Sequence, residues 1–220
     1  MTTKPRSPAA DVDRSRLLAA VETERLRLAD FLDELEPPAW EATSLCPERT
    51  MREVLAHLTT ATRSQEVRTV VGAIRAQGDI DRVIADQGRE RAAEFDPATL
   101  IAQLRDTAGS SRRMLGSSRW DQYVDIVVHS QDIARPLGRE YPVPTELLIP
   151  ALRFVWASRF YGAGARYGGV RFVAEDIDWT LGDGPTEVRG SGADLLMLGV
   201  GRSAVLEGLV GSGVDGVASR

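Results

Sequence analysis

Few residues of this chain could carry out chemistry, and three of them lie in one stretch, Trp120 to Gly138. Asp125 and His129 are four positions apart, so on a helix both side chains project from one face. The chain contains only two histidines, and the other, His57, lies far upstream in a second segment with helical periodicity. Two imidazoles and a carboxylate on neighbouring helices would form a three-ligand metal site with an open position. We therefore take His57, Asp125 and His129 as candidate metal ligands.

The Asp125/His129 pair has simpler interpretations, which the spacing alone leaves open. It can be a surface ion pair, or a core histidine held by a carboxylate. However, the surrounding side chains are apolar and predict a largely buried helix: Val124, Ile126, Val127, Val128 and Ile133. A buried carboxylate or imidazole needs a partner, and a divalent cation would satisfy both. Asp132 lies three residues beyond His129, and we expect it to accept a hydrogen bond from that imidazole rather than to bind the metal directly.

His57 taken alone is also consistent with a core histidine that has its hydrogen bonds satisfied. Thr50 and Glu53 form a capping-box pattern, which predicts a helix from near Met51 to about Ala76, with His57 in its second turn. Because the capping box already explains Glu53, we do not count it as a ligand. Cys46, the single cysteine, is either a small apolar residue of a loop or, less simply, a ligand or nucleophile.

The composition limits the classes of function. The chain has 220 residues, 43% of them hydrophobic, and a formal net charge of -5, so no overall positive field favours nucleic acid as a partner. No apolar run approaches the roughly 18 residues of a membrane span. The start of the chain has no signal-peptide core, and a single cysteine cannot form an internal disulfide. We therefore expect a soluble, cytoplasmic protein that binds neither nucleic acid nor membrane.

The elements that would position the candidate ligands are mostly helices. Residues 1–11 are expected to form a disordered tail, and residues 12–140 a four-helix bundle. The four helices are predicted over 13–35, from Met51 to about Ala76, from the Asp96–Pro97 start to Leu115, and over the Trp120 stretch. The charged segment 79–94 has weaker periodicity and is predicted to be partly helical at most.

Residues 141–220 are predicted to form a linking helix and a small α+β domain. The linking helix is expected over 146–161, with a kink or a later start at Pro150. Short strands are predicted at 170–174, 177–181 and 186–189, followed by one or two helices over 195–209. The fold class is thus mainly α, with a helical bundle followed by a small C-terminal α+β domain.

Several of these segments together carry a resemblance to a known family. They are Cys46-Pro-Glu-Arg-Thr-Met-Arg-Glu-Val-Leu-Ala-His57, Asp125-Ile-Val-Val-His129-Ser-Gln-Asp132, Asp176-Ile-Asp-Trp, Gly182-Asp-Gly-Pro and Leu195-Leu-Met-Leu-Gly-Val-Gly-Arg202. The chain resembles the mycothiol-dependent maleylpyruvate isomerase family of actinobacteria, which belongs to the DinB-like metalloenzyme fold. The similarity extends over about residues 12 to 218.

The resemblance implies a DinB-like four-helix bundle that binds a divalent metal, usually zinc, through His57, Asp125 and His129. In the characterised isomerase type, a glutamate stands where this chain has Asp125. The family's C-terminal Gly-Arg motif corresponds to Arg202, which is either an anion-binding residue for carboxylates of substrate or thiol, or a surface arginine. Mycothiol is the implied co-substrate.

The leading functional hypothesis is a metal- and thiol-dependent isomerase or S-transferase acting on a small electrophilic or carboxylate substrate. Two alternatives stay open: a non-catalytic metal-binding or structural protein of the DinB fold, and a metal-dependent hydrolase. The substrate and the assembly state, monomer or homodimer, are not readable from the sequence.

Overall fold

The computed structural model describes residues 12–60, 80–113 and 117–220 of the chain. The tail over 1–11, the continuation of the second helix toward Ala76 and the position of Leu115 lie outside these residues. The chain divides into two compact units, one comprising Arg14–Tyr141 and the other containing Pro142–Arg220. It is mainly α-helical, with a small α+β part at its C-terminal end, which confirms the predicted fold class.

The described part of the first unit contains five α-helices: α1 (Arg14–Asp33), α2 (Met51–Thr60), α3 (Ile80–Glu94), α4 (Pro97–Asp106) and α5 (Arg119–Ala134). Both α1 and α2 pack against α4 and α5, so these four helices surround one core. The remaining helix, α3, packs against α2.

Two of these helices differ from their predicted extents. The charged segment that the sequence predicted to be partly helical forms the complete helix α3, because packing against α2 compensates for its weak apolar periodicity. The helix that begins at Pro97 ends at Asp106 and not near Leu115, and a turn follows it. Its predicted start is confirmed, since the Asp96 carboxylate accepts a hydrogen bond from the Thr99 amide at 2.7 Å.

The second unit begins with a short 3₁₀ turn, Thr145–Leu147, that leads into α6 (Leu148–Ala157). Pro150 lies in the first turn of α6, where its missing N–H costs no helical hydrogen bond, so it sets a later start and not a kink. The other elements are α7 (Ala163–Arg166), β1 (Val170–Ala174), β2 (Thr180–Leu181), β3 (Thr186–Gly190), α8 (Gly192–Gly199), a 3₁₀ segment (Ser203–Gly208) and α9 (Val214–Ala218).

The three strands form one sheet in the order β2-β1-β3. β1 pairs with β2 antiparallel, with Phe172 opposite Leu181, and with β3 parallel, with Val170 opposite Thr186. The predicted strand over 177–181 is only two residues long. The ring of Trp156 on α6 packs 4.4 Å from that of Phe172, centroid to centroid, and its Nε1 donates to the Leu195 carbonyl at 3.3 Å. Trp156 therefore joins helix and sheet in the core of this unit.

Among the described residues, no helix is both long enough and apolar enough to cross a membrane.

Candidate metal centre

His57 and His129 come together across the bundle, with Asp125 between them. His57 Nε2 lies 3.2 Å from Asp125 Oδ1, and His129 Nε2 lies 3.4 Å from the same oxygen. The two imidazole rings have centroids 4.9 Å apart at an interplanar angle of 75°. One nitrogen from each histidine and one carboxylate oxygen of Asp125 all lie within 4.8 Å of one another. The structure thus brings together the three residues that the sequence selected as candidate ligands.

The local sequence explains how α2 presents His57. A capping box starts the helix: the Thr50 amide donates to Glu53 Oε2 at 2.9 Å, and the Glu53 amide donates to Thr50 Oγ1 at 3.3 Å. Three fully buried apolar residues then fix the rotation of the helix: Met51, Val54 and Leu55. His57 follows on the side that faces α5, and Glu53 is occupied in the cap as expected.

A capping box also starts α5, although the sequence analysis did not identify it. The Ser118 amide donates to Asp121 Oδ2 at 2.6 Å, and the Asp121 amide donates to Ser118 Oγ at 3.3 Å. Almost every residue of α5 after Asp121 is buried, Asp125 being the exception. The i, i+4 spacing of Asp125 and His129 on this helix sets both groups toward α2.

Asp132 holds the opposite side of the His129 ring. Its Oδ2 lies 2.8 Å from His129 Nδ1, and the residue is 0% exposed. Its backbone carbonyl accepts a hydrogen bond from the Leu45 amide at 3.0 Å, which ties this turn of α5 to the loop before α2. A proton on Nδ1 shared with Asp132 leaves Nε2 to face Asp125, which is the arrangement usually found behind a metal-binding histidine.

The charged side chains of the group shift one another's pKa values. Burial opposes ionisation of Asp125, but the imidazoles beside it hold the pKa of its carboxyl well below its usual range. Burial also disfavours the charged form of His129, yet hydrogen bonds to Asp125 and Asp132 raise its pKa to about 10. Burial lowers the pKa of His57 despite the nearby Asp125 carboxylate. Two carboxylates therefore flank one imidazolium, and the site has an excess of negative charge.

The donor set suits a divalent cation of the zinc type, which prefers imidazole nitrogen and carboxylate oxygen at three protein positions. The Asp125 side chain is 36% exposed, so the group is reached from solvent on the carboxylate side. The His129 side is closed by Asp132. A further ligand would therefore approach from the Asp125 side, which is the more exposed side of the group.

Cys46, in the loop before α2, lies close to this group in the structure. It is 7% exposed, and its sulfur lies within 4.8 Å of both a His129 ring nitrogen and an Asp132 carboxylate oxygen. Its amide donates to Ser44 Oγ at 3.1 Å. Cys46 is thus a small buried loop residue, and with His129 and Asp132 it forms a second group whose atoms lie close enough together to hold a metal ion.

Arg202 belongs to the second unit. It follows Gly201, whose φ of 88° is favoured by glycine, at the C-terminal end of α8. The Arg202 amide donates to the Met197 carbonyl at 2.9 Å, and its Nη1 lies 3.5 Å from the Val200 carbonyl. The anion-binding role expected of Arg202 stays a prediction.

The sequence analysis did not identify several buried charged residues of the bundle, of which Arg25 is one. Arg25 occupies a position of α1 between the buried residues Val21 and Leu28, and it is itself buried. A charged residue in the apolar stripe of an amphipathic helix was the signal that could have identified it.

These observations define a class of protein: a helical bundle that carries a His/Asp/His group on two of its helices. Comparison with known proteins is more specific. The family model of the mycothiol maleylpyruvate isomerase N-terminal domain matches residues 21–134, just over half of the chain and all three candidate ligands. The chain belongs to the mycothiol-dependent maleylpyruvate isomerase family.

Solved structures agree with this assignment at the level of fold. The chain is similar to a crystal structure of a mycothiol-dependent maleylpyruvate isomerase, with a TM-score of 0.60, 16% identity and 96% of each chain covered. It is also similar to a structure of such an isomerase in which a histidine is changed to alanine, with a TM-score of 0.61, 14% identity and the same coverage. No curated protein sequence matches the chain.

Proposed function

We propose that the chain is a zinc-dependent enzyme that uses mycothiol, or another small thiol, to isomerise or thiolate a small electrophilic substrate. The observation that carries this proposal is the convergence of His57 Nε2 and His129 Nε2 on one oxygen of Asp125. Family membership supports the use of mycothiol. The fold is compatible with other chemistries, so the substrate has to be argued from the site.

His57, Asp125 and His129 would hold the metal. When bound, a zinc ion would supply Lewis acidity, which lowers the pKa of a thiol that reaches its open position. Asp132 keeps a proton on His129 Nδ1 and so keeps Nε2 directed at the metal position. Asp125 offsets positive charge at the site, and its exposed side admits the small molecules.

In an isomerisation, the thiol adds across a cis carbon–carbon double bond, so that sulfur joins one carbon and a proton joins the other. The resulting single bond rotates. Loss of the same thiol and proton then restores the double bond as trans, and the thiol is regenerated. In an S-transfer, the adduct itself is the product. We further propose that Arg202 binds a carboxylate of the reactants, and that the protein works in the cytoplasm of mycothiol-producing cells.

The metal part is tested by elemental analysis of the purified protein beside His57→Ala and His129→Ala. We expect about one zinc per wild-type chain and its loss from both variants. Thr60→Ala is a matched control on the same helix, because within the described residues the Thr60 hydroxyl donates to the Ala56 carbonyl one turn back and makes no contact with the site. Wild-type protein that takes up no zinc after dialysis against a zinc buffer would overturn this part.

The thiol part is tested by calorimetric titration of the zinc-loaded protein with mycothiol, followed by an isomerisation assay with maleylpyruvate. We expect binding that requires zinc and turnover that requires the thiol. Zinc-loaded protein that fails to bind mycothiol would contradict the thiol role. Turnover of a substrate in thiol-free buffer would favour a metal hydrolase instead.

A further inference from the structure

A second group of potential metal ligands lies behind the candidate metal centre, and the proposed reaction does not use it. Cys46 Sγ, one ring nitrogen of His129 and one carboxylate oxygen of Asp132 all lie within 4.8 Å of one another. The three residues are 7%, 6% and 0% exposed, so this group is more enclosed than the first. Because Asp132 Oδ2 lies 2.8 Å from His129 Nδ1, the group is built on the Nδ1 side of the ring, and the Nε2 side faces Asp125.

The backbone of the loop before α2 holds the thiol of Cys46 next to these groups. The Leu45 amide donates to the Asp132 carbonyl at 3.0 Å, and the Arg49 amide donates to the Cys46 carbonyl at 3.2 Å. The sulfur itself takes part in no hydrogen bond with any residue that the structure describes. The loop therefore places a soft donor atom, which no hydrogen bond occupies, beside an imidazole and a fully buried carboxylate.

The donor set and its charge suit a soft divalent cation. When Cys46 releases its thiol proton to solvent, the thiolate and the Asp132 carboxylate carry two negative charges. A divalent cation neutralises both, so the filled group has no net charge in its buried position. Sulfur favours thiophilic metals such as cadmium, whereas the first group offers only nitrogen and oxygen, which suit zinc.

His129 can serve only one of the two groups at a time. A neutral imidazole has one nitrogen with a free lone pair and one that carries a proton. A metal on Nε2 leaves the proton on Nδ1, where Asp132 accepts it. A metal on Nδ1 requires the proton on Nε2, which lies 3.4 Å from Asp125 Oδ1 and can donate to it. A cation in the second group therefore removes His129 from the first.

We propose that Cys46, His129 and Asp132 form a second metal site, which binds a thiophilic divalent cation such as cadmium and thereby withdraws His129 from the zinc position. The site itself rests on the geometry of these three residues, and only its effect on zinc rests on the proposed function. A soft cation in excess switches off the first group from behind, without occupying the exposed side at Asp125.

The test titrates cadmium chloride into the purified full chain and follows the ultraviolet absorption of a cadmium–thiolate bond. The chain has one cysteine, so this absorption reports Cys46 alone. We expect it to level off at about one cadmium per chain in the wild type and in His57→Ala, which lacks a ligand of the first group only. Cys46→Ser is expected to lose it, and Asp132→Asn to require more cadmium. Ser130→Ala is the matched control, since Ser130 is buried on α5 and its hydroxyl bonds to the Ile126 carbonyl.

The outcomes separate the second site from the proposed function. Wild type without thiolate absorption overturns the site. Absorption that is unchanged in both His129→Ala and Asp132→Asn also overturns it, because the metal would then bind the thiol alone. Circular dichroism of each variant shows whether it is folded. If the wild type takes up no zinc, the proposed function fails, while the cadmium titration still decides the second site.

A competition measurement tests the exclusion of one group by the other. Cadmium is added to the zinc-loaded wild type, and a chelating dye records released zinc. We expect zinc release to parallel the thiolate absorption, and Cys46→Ser to release its zinc only at higher cadmium concentration. Full thiolate absorption with zinc retained would overturn the exclusion, because His129 would then serve both groups at once.

Discussion

At the scale of single residues, the notable feature is a chain of contacts through one imidazole. His129 meets Asp125 through Nε2 and Asp132 through Nδ1. The first contact lies on the open side of the site, and the second is fully buried. We therefore propose different tasks for the two carboxylates: Asp125 would bind the cation, and Asp132 would orient and polarise the ring.

Asp132→Asn is expected to weaken zinc binding about 10- to 100-fold, because a neutral amide polarises the imidazole less than a carboxylate does. The zinc dissociation constant, measured by competition with a chelating dye, checks this. Ser130→Ala is the control, since Ser130 is equally buried on the same helix and its hydroxyl bonds to the Ile126 carbonyl. An unchanged constant in Asp132→Asn would show that the negative charge of Asp132 does not contribute to zinc binding.

Asp125→Asn is expected to weaken zinc binding more than Asp132→Asn does. The first change removes a charged ligand, whereas the second alters only a residue that orients the ligand His129. Asp125→Glu keeps the charge and introduces the residue that the characterised isomerase type has here, so we expect it to retain zinc. The same dye competition ranks the three variants. The reverse order of the two asparagine variants would remove Asp125 from the ligand set.

At the scale of elements, the site depends on how closely α2 is packed from behind. Gly88 of α3 lies against α2, and a Cβ at this position would be 3.5 Å from the Glu53 carbonyl oxygen and 3.8 Å from His57 Cβ. These are ordinary contact distances. The glycine therefore permits a close approach of α3 to the turn that carries His57, with space for one methyl group.

Gly88→Ala is expected to raise the free energy of unfolding by about 0.5–1 kcal/mol, because alanine favours the helix and its methyl group fits. Gly88→Leu is expected to push α3 away from α2 and to lower both stability and zinc affinity. Urea denaturation of the two variants, with zinc titration beside it, measures both effects. A destabilised Gly88→Ala would mean that α3 and α2 pack more tightly than these distances indicate.

At the scale of the whole molecule, the candidate site joins segments that are far apart in the chain. His57 and Asp125 are 68 positions apart, so a shared cation would cross-link α2 and α5. Binding to the folded state alone stabilises a protein in proportion to the logarithm of ligand concentration. We expect zinc at 100 times its dissociation constant to add about 2.7 kcal/mol to the free energy of unfolding, and none in His57→Ala. Equal stabilisation of both proteins would indicate zinc binding elsewhere.

Alkaline pH acts on the same unit through Tyr141. Burial raises its pKa to about 12, against which Arg27 acts, and the ring packs edge-on against Phe31 with centroids 5.4 Å apart. Because the folded pKa lies above the unfolded value of about 10, the stabilising effect of the neutral phenol is complete below about pH 10. It is lost as the pH rises toward 12.

We therefore expect wild-type stability to decline between about pH 10 and pH 12 more steeply than that of Tyr141→Phe, which keeps the ring but cannot ionise. Denaturant unfolding at several pH values measures the difference, and absorbance at the tyrosinate band follows the ionisation directly. Parallel pH profiles for the two proteins would show that Tyr141 titrates like an exposed tyrosine.

The sequence predicted those parts of this molecule that depend on local rules. The capping box at Thr50, the start of α4 at Asp96–Pro97 and the i, i+4 spacing in α5 are all short-range, and the structure has each of them. What it could not predict depends on contacts between distant segments. The complete helix α3 is stabilised by α2, and the early end of α4 leaves the carbonyls that Arg25 binds.

The three candidate ligands were found because only two histidines had to be placed and the bundle puts their helices side by side. Both imidazoles approach Asp125 Oδ1 because of the rotation and register of their helices. Sequence periodicity does not determine rotation and register to within an ångström. The position of Cys46 behind His129 depends on how the loop before α2 folds back toward Asp132. No local sequence pattern predicts the path of this loop.

The burial of Cys46 has a consequence for a protein of a thiol-using family. Thiol–disulfide exchange needs a thiolate that an incoming disulfide can reach. The only cysteine of the chain is enclosed between its own loop and α5, with its amide held by Ser44 Oγ. The chain can therefore work among small thiols and their disulfides without itself becoming a mixed disulfide, for as long as that loop stays closed.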